Sequence, residues 1–160
     1  MNTKARQHEI GSDKGQTPPP LRSRGSLHRG TPLCDPNRLG ADYVRTSKDL
    51  RNWGASKKVA YGGAAGTGPS SAECPFVYFH KDSGYYYLFR TQRYGENSQT
   101  SIYRSKDPAD FGVENDKYFV TTIPYAAPEI VDYEGQTYIA ALLPSLKGIQ
   151  IAKLRFAPKP

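Results

Sequence analysis

The sequence has no long apolar segment. Its longest apolar runs, such as Ile139–Leu143, span only a handful of residues, whereas a helix needs about 20 to cross a bilayer. Residues Met1–Ile10 also lack the apolar stretch of a secretory signal. We therefore expect no membrane partner. The compartment stays unknown, with the cytoplasm as the default.

Cysteine and histidine are equally scarce. Cys34 and Cys74 are the two cysteines, too few for a disulfide framework. The three histidines are dispersed and no Cys-x-x-Cys pair occurs, so no metal-ligand cluster is expected. The glycine-rich segment 62–69 is not a phosphate-binding loop, because no Lys-Ser/Thr pair follows it. The sequence thus predicts neither a metal nor a cofactor.

Aromatic residues are missing from the first 42 positions, so the 12 Tyr, the 6 Phe and the single Trp all lie in 43–160. Residues 1–40 carry seven Lys+Arg against three Asp+Glu, and they include a run of three prolines that neither a helix nor a central strand tolerates. Few apolar residues are present to offset the entropy of ordering. We predict a disordered basic tail, rich in Pro, Gly and Ser, at 1–40 and a folded domain at 41–160.

The basic tail has two interpretations. Flexible basic arms can neutralise nucleic-acid phosphates without adopting a fold. No aromatic residue is interleaved here to stack on bases, which favours a solvated linker. A nucleic-acid partner is therefore not expected.

An internal repeat organises the rest of the chain. Segment 44–54 recurs as 102–112, with Ser-Lys-Asp and an aromatic-Gly pair each 58 residues apart. A looser second set has Pro75 and Pro128 53 residues apart, followed by glycines 51 apart. A period of about 50 residues is typical of a β-propeller blade.

Short runs rich in Val, Ile, Tyr, Phe and Thr, bounded by Gly, Asp, Ser and Pro, predict an all-β meander with four strands per blade. Nine strands make two to two and a half blades, whereas a closed propeller has about 4–8. At least two strand edges would then remain open for another copy or a partner chain to cover. The predicted strands are 41–47, 56–60, 74–79, 84–91, 100–105, 117–122, 128–133, 136–143 and 148–156.

The aromatic residues of the repeats are expected to pack between blades rather than to stack on sugars. In 85–89, the odd-numbered aromatic residues share one face of a strand and Tyr86 lies on the other. Trp53 matches Phe111 in the repeat, which favours a core position for both.

The order of the motifs resembles the five-bladed β-propeller glycosidases of glycoside hydrolase families 32 and 43. The resemblance covers about 41–160, the carboxy-terminal half of such a domain, so the expected fold is a partial five-bladed-type propeller. In these families the proton-donating glutamate lies at the start of an inner strand, which in this chain corresponds to Glu73. The motifs are Arg45–Trp53, Ala72–Val77, Gly84–Phe89, Ser105–Phe111 and Ala127–Val131.

Glycosidic cleavage needs one carboxylic acid to protonate the leaving oxygen and a second carboxylate on the other face of the sugar. The resembled families place their catalytic aspartates upstream of the part that this chain resembles. Asp107 matches Asp49 in the repeat and is interpreted as a turn residue. The catalytic set therefore looks incomplete.

Other residues are candidates for contacts with the sugar. Arg90, Arg93 and Tyr94 follow a strand and are expected to reach sugar hydroxyls. Glu129 also begins an inner strand, but period-two alternation puts Glu73 and Glu129 on opposite faces unless a bulge intervenes. A structural role for Glu129 is the favoured alternative.

Two functions remain open. The first is a glycoside hydrolase-like protein that cleaves O-glycosidic bonds in furanosides or related plant and microbial oligosaccharides, truncated and either completed by a partner chain or inactive. The second is a non-catalytic carbohydrate-binding or assembly module. Both imply a carbohydrate as substrate or ligand.

Overall fold

The computed structural model describes residues 40–157, which form nine β-strands and two single-turn 3-10 segments. Neither helical segment in this range is long enough to cross a membrane. The tail predicted at 1–40 lies outside the described residues except for Gly40. The strands are β1 (Ala41–Val44), β2 (Lys57–Tyr61), β3 (Glu73–His80), β4 (Tyr85–Arg93), β5 (Gln99–Ser105), β6 (Phe119–Ile123), β7 (Ala126–Tyr133), β8 (Gln136–Leu142) and β9 (Ile149–Lys153).

The strands form three antiparallel sheets in which each strand pairs with the next one along the chain. We call them the N-terminal sheet (β1–β2), the central sheet (β3–β6) and the C-terminal sheet (β7–β9). Only the central sheet has four strands, and the all-β meander with partial blades is confirmed. All nine predicted strands are present, with ends that differ by a few residues.

One face of the central sheet packs against the N-terminal sheet. Leu88 on β4 and Tyr103 on β5 are almost completely buried there, because period-two alternation turns both side chains to this face. The buried members of the cluster are Val44, Val59, Ala60, Ala65, Leu88, Tyr103 and Phe111.

The other face of the central sheet packs against the C-terminal sheet. Tyr87 and Phe89 alternate with Leu88 along β4 and meet Ile130 and Ile139 across the interface. Tyr86 packs in the opposite cluster, as predicted. Since both faces are covered, the central sheet forms the middle layer of the structure.

The two aromatic residues matched by the repeat differ in burial. Phe111 is completely buried, and its amide N–H donates to the Val59 carbonyl at 2.7 Å. Trp53 is only partly buried and is absent from both core clusters. Phe111 is covered by the N-terminal sheet, whereas no sheet precedes that one among the described residues. The core position predicted for Trp53 is therefore wrong for this part of the chain.

A charged pair lies inside the interface between the N-terminal and central sheets. Arg90 on β4 is 0% exposed, and its Nε lies 2.7 Å from Oδ2 of Asp42 on β1. The guanidinium donates to the carbonyls of Gly40 and Gly62, each at 3.4 Å, and lies 5.5 Å from the ring centre of Tyr103. Neither oxygen of Asp42 makes a well-angled hydrogen bond within the described residues, so the pair is held mainly by charge.

Above about pH 7, where Asp42 is ionised in the folded protein, we expect Arg90→Ala to lower the free energy of unfolding by about 3–5 kcal/mol, because it leaves the carboxylate of Asp42 buried without a counter-charge. The double variant Asp42→Leu/Arg90→Met should recover most of this loss, since no charge then remains buried. Arg104→Ala, which removes only a partly exposed guanidinium beside the Tyr85 ring, is the control and should cost less than about 1 kcal/mol. Urea denaturation measures all three, and an Arg90→Ala loss no larger than the control's would contradict the prediction.

The same pair predicts a pH dependence. Burial raises the pKa of Asp42 to about 7, against the opposing charge of Arg90, whereas an unfolded aspartate titrates near pH ~4. Between about pH 4 and about pH 7, Asp42 stays protonated in the folded state, whereas in the unfolded state it has released its proton. The contribution of this carboxyl to stability is thus full below about pH 4 and lost as the pH rises through about 7.

Relative to Asp42→Asn, the parent protein should therefore lose up to about 4 kcal/mol of unfolding free energy between pH 4 and pH 7. Denaturant titrations at several pH values in this window measure the difference. A difference that is constant across the window would show that Asp42 does not carry the effect.

Candidate functional site

Glu73 opens β3, the first strand of the complete blade, and its side chain is exposed. It pairs with Thr91, whereas the next regular pair is Phe76 with Phe89, so the strand contains one extra residue. The irregularity lies at Cys74, whose φ of 44° is in the left-handed region that L-residues rarely adopt. Such bulges redirect the side chains beside them.

The C-terminal sheet repeats this backbone shape. Ala126 pairs with Leu142 and Glu129 pairs with Ala140, with the same irregularity between them. Ala127 has a φ of 47° and precedes Pro128, as Cys74 precedes Pro75. The position that corresponds to Glu73 is therefore occupied by Ala126, which is completely buried.

The bulge overturns the prediction that Glu73 and Glu129 face opposite sides of their sheets. Residues that pair directly across a ladder point to the same face of the sheet. In each bulged strand, the first residue and the residue three positions later pair with residues that are two positions apart on the neighbouring strand. The two residues of the bulged strand therefore point to the same face. Glu129 thus corresponds to Phe76, and not to Glu73. The alternation argument holds only where the strand has no bulge, and no pattern in the sequence indicated that bulges occur here.

Tyr94 joins Glu73 at the rim of the central sheet. Its hydroxyl donates to Sγ of Cys74 at 3.3 Å. Partial burial, followed by the proximity of Cys74 and Glu73, raises the pKa of Tyr94 well above its usual value. The phenol therefore stays protonated and can act as a hydrogen-bond donor beside the carboxylate.

A cleft of about 420 Å³ lies between the glycine-rich loop and the β4–β5 connection, and its lining contains sequence neighbours of Glu73 and Tyr94 but neither of these residues. Arg93 at the end of β4 lines it, directly before Tyr94, and Ser71 lines it two residues before Glu73. Arg93 pairs with Gln99 through a second bulge after Thr91. The size suits a small ligand. The lining is Gly63, Ala64, Ala65, Gly66, Gly68, Pro69, Ser70, Ser71, Gln92, Arg93 and Gln99.

Gln92, Gln99 and the two serines were not predicted from the sequence. Gln92 and Gln99 lie on either side of the connection between β4 and β5. Polar residues at the ends of two adjacent strands are the sequence pattern that could have identified them as lining residues. Ser101 Oγ donates to Oε1 of Gln92 at 2.9 Å, which ties one of them to the sheet.

Arg90 is placed differently from the other predicted sugar contacts. It lies within β4, not after it, and its enclosed side chain is paired with Asp42. The strand continues to Arg93, so Arg90 lies in the middle of the strand, where alternate side chains point into the core. A contact with a sugar would require this side chain to leave the ion pair.

The glycine-rich loop beside the cleft is fastened to the sheets. Oδ1 of Asp116 accepts the amide N–H of Ala64 at 2.7 Å, and the hydroxyl oxygen of Tyr103 accepts that of Ala65 at 3.0 Å. A Cβ at Gly63 would clash with Asp116 Oδ1, and the φ of 61° at Gly63 lies in the left-handed region, so this position favours glycine. Asp116 therefore sets the shape of one wall of the cleft.

We expect Asp116→Ala to free this wall, because the Ala64 N–H loses its charged acceptor. A hydrogen bond to a charged group is worth about 1.5–3 kcal/mol, so the amides of Ala64 and Ala65 should exchange with solvent about 10- to 100-fold faster. Hydrogen exchange followed by NMR measures this. Asp82→Ala, in the exposed β3–β4 turn, is the control, and equal protection in the two variants would refute the role of Asp116.

The remaining aspartates of the repeat act in turns, as predicted. Asp49 Oδ1 accepts the amide N–H groups of Asn52 and Arg51, which holds the pKa of this carboxyl far below its usual value. Asp107 Oδ1 accepts the N–H of Ala109. Within residues 40–157, no group of three His, Cys, Asp or Glu side chains is placed to bind a metal ion.

Comparison with known proteins finds a likeness in one solved structure. No protein-family model matches the sequence, and no curated protein matches it. An exo-1,5-alpha-L-arabinanase from a bovine ruminal metagenomic library matches with a TM-score of 0.50 and 21% identity, over 78% of this chain and 52% of that one. The chain thus spans about half the length of the structure it matches, and its fold is part of a five-bladed β-propeller.

Proposed function

We propose that the chain is a glycoside hydrolase-like module in which Glu73 donates a proton to the leaving oxygen of a furanoside. The observation that carries the proposal is the exposed carboxylate at the bulged start of the inner strand of the complete blade, two residues after Ser71 in the lining of a cleft of about 420 Å³. A general acid has to be within hydrogen-bond reach of the bond that it cleaves. An exposed carboxylate two residues from the cleft lining is free to reach a ligand there.

Tyr94 and Arg93 have supporting roles in this proposal. The protonated phenol of Tyr94 donates hydrogen bonds at the rim, and the Arg93 guanidinium, with its five donors, suits sugar hydroxyls at the cleft wall. Arg90 stays outside the proposed site because it is enclosed in the core. Glu129 stays outside it because its position in the blade corresponds to Phe76.

A second carboxylate is needed to complete the reaction. The cluster of Glu73, Cys74 and Tyr94 contains a single carboxylate, that of Glu73. The nucleophile or base would come from the remainder of a complete propeller. The chain by itself then binds sugar without turning it over quickly, and a non-catalytic binding module remains the second candidate.

Glu73→Gln should lower the turnover of α-1,5-linked arabino-oligosaccharides by about 10²–10⁴-fold, because the amide cannot supply the proton that the poor leaving group, a sugar alkoxide, requires. Glu134→Gln, in the exposed β7–β8 turn, is the matched control and should keep the parent rate. Release of reducing sugar measures both. Equal rates in the two variants would remove Glu73 from the mechanism.

If the parent protein turns over none of these substrates, calorimetry separates the two candidates. Binding of arabino-oligosaccharide that Arg93→Ala weakens would support the binding module. The absence of both turnover and binding would contradict a carbohydrate function for this site.

A further inference from the structure

Arg93 has the one charged side chain among the described residues that line the cleft. The bulge after Thr91 pairs it with Gln99, and residues that pair across a ladder point to the same face of a sheet. Arg93 and Gln99 therefore reach the cleft side by side, from the end of β4 and the start of β5. Glu96, three positions along the chain, is exposed and lies outside the lining.

The guanidinium of Arg93 is unengaged. It makes no hydrogen bond, ion pair or ring contact with any residue of 40–157. Other arginines of the fold are held by the protein. Arg45 donates to two backbone carbonyls, and Arg90 is paired with a buried carboxylate. Arg104 lies over the ring of Tyr85. The cation in the cleft is thus left to a ligand.

Several hydrogen-bond acceptors of the lining are already used within the protein. The carbonyl of Gly63 accepts the N–H of Gly66, and the carbonyl of Gly68 accepts both the N–H and the hydroxyl of Ser71. Oε1 of Gln92 accepts a hydroxyl group of β5. The strongest unengaged polar group of the lining is therefore a donor, the guanidinium of Arg93.

We propose that the cleft binds a sugar that carries a carboxylate, a uronic acid, and that Arg93 selects it. The proposal rests on the proposed function for the ligand being a sugar, and it adds the charge of that ligand. A sugar hydroxyl donates as well as accepts hydrogen bonds, whereas a carboxylate only accepts them. An unengaged donor beside engaged acceptors matches the carboxylate, and a guanidinium can bind both of its oxygens through parallel hydrogen bonds.

The lining favours a carboxylate over a phosphate. A phosphate ester carries a charge of about −1.5 to −2 at neutral pH, and the described lining offers a single positive charge to balance it. The N–H groups of Ala64 and Ala65 in the glycine-rich loop are not available for phosphate oxygens, because they donate to Asp116 and Tyr103. A carboxylate has one negative charge, which one arginine neutralises.

NMR titration of the full chain tests the proposal with galacturonate and glucuronate, each compared with galactose or glucose. The members of each pair differ in the carboxylate alone. At low ionic strength at least one uronate should bind about 10-fold or more tightly than its neutral parent, because it adds a charge-assisted hydrogen bond. Added salt should weaken the uronate and leave the neutral sugar unchanged. Galactose 6-phosphate should bind less tightly than galacturonate.

Substitutions of Arg93 assign the preference to this side chain. Arg93→Gln should bring the uronate to within about 2-fold of the neutral sugar. Arg93→Lys keeps the charge without the planar fork and should retain a preference of only about 3-fold. Arg51→Gln makes the same charge change at an exposed arginine outside the lining and should bind as the parent does. Circular dichroism checks folding, which an exposed side chain such as Arg93 does not support.

The proposal is overturned if neither uronate binds, if uronate and neutral sugar bind equally, if the phosphate binds more tightly, or if the preference survives Arg93→Gln. Turnover of neutral arabino-oligosaccharides that depends on Glu73 would then leave the proposed hydrolase standing. Conversely, uronate binding that requires Arg93, without turnover of any oligosaccharide, would support the acidic ligand and contradict the hydrolase.

Discussion

The structure depends on a sheet that is covered on both faces. Along β4, Leu88 packs toward the N-terminal sheet and Phe89 toward the C-terminal sheet, and each is almost completely buried. A two-stranded sheet is marginal in water without such support. The N-terminal sheet therefore owes its position to the contacts with β4 and β5, and the loop that follows it owes its position to the same contacts. The candidate site is built on this arrangement and not on an independent scaffold.

The chemistry of the site lies where the regular ladder is interrupted. A left-handed residue before a proline begins β3 and β7 alike, and a second irregularity near the end of β4 gives Arg93 its place beside Gln99. With regular alternation, every second side chain would pack against a neighbouring sheet up to the end of the strand. The interruptions take a few side chains out of the packing and leave them at a cleft, where a substrate can reach them.

Much of the fold follows from local patterns in the sequence. Alternating apolar residues bounded by glycine and aspartate predict all nine strands, and the repeat predicts the blade arrangement, because both depend on contacts between near neighbours. Arg90 could not be placed this way. Whether an arginine at a strand position is exposed or enclosed depends on Asp42, 48 positions earlier in the chain and in another sheet. The bulge at Cys74 and the role of Asp116 likewise depend on backbone geometry that residue types do not encode.

The paired bulges bear on how such a site is gained or lost in evolution. The backbone bends in the same way around Cys74 and Ala127, although a glutamate precedes only the first of them. The bend therefore does not depend on the carboxylate. The acid at Glu73 could therefore be lost by a single substitution while the blade kept its shape. The same bend in the next blade holds a buried alanine, Ala126, so in a repeat protein of this kind the chemistry of the ring is decided by which copies of the bend reach solvent and hold an acid.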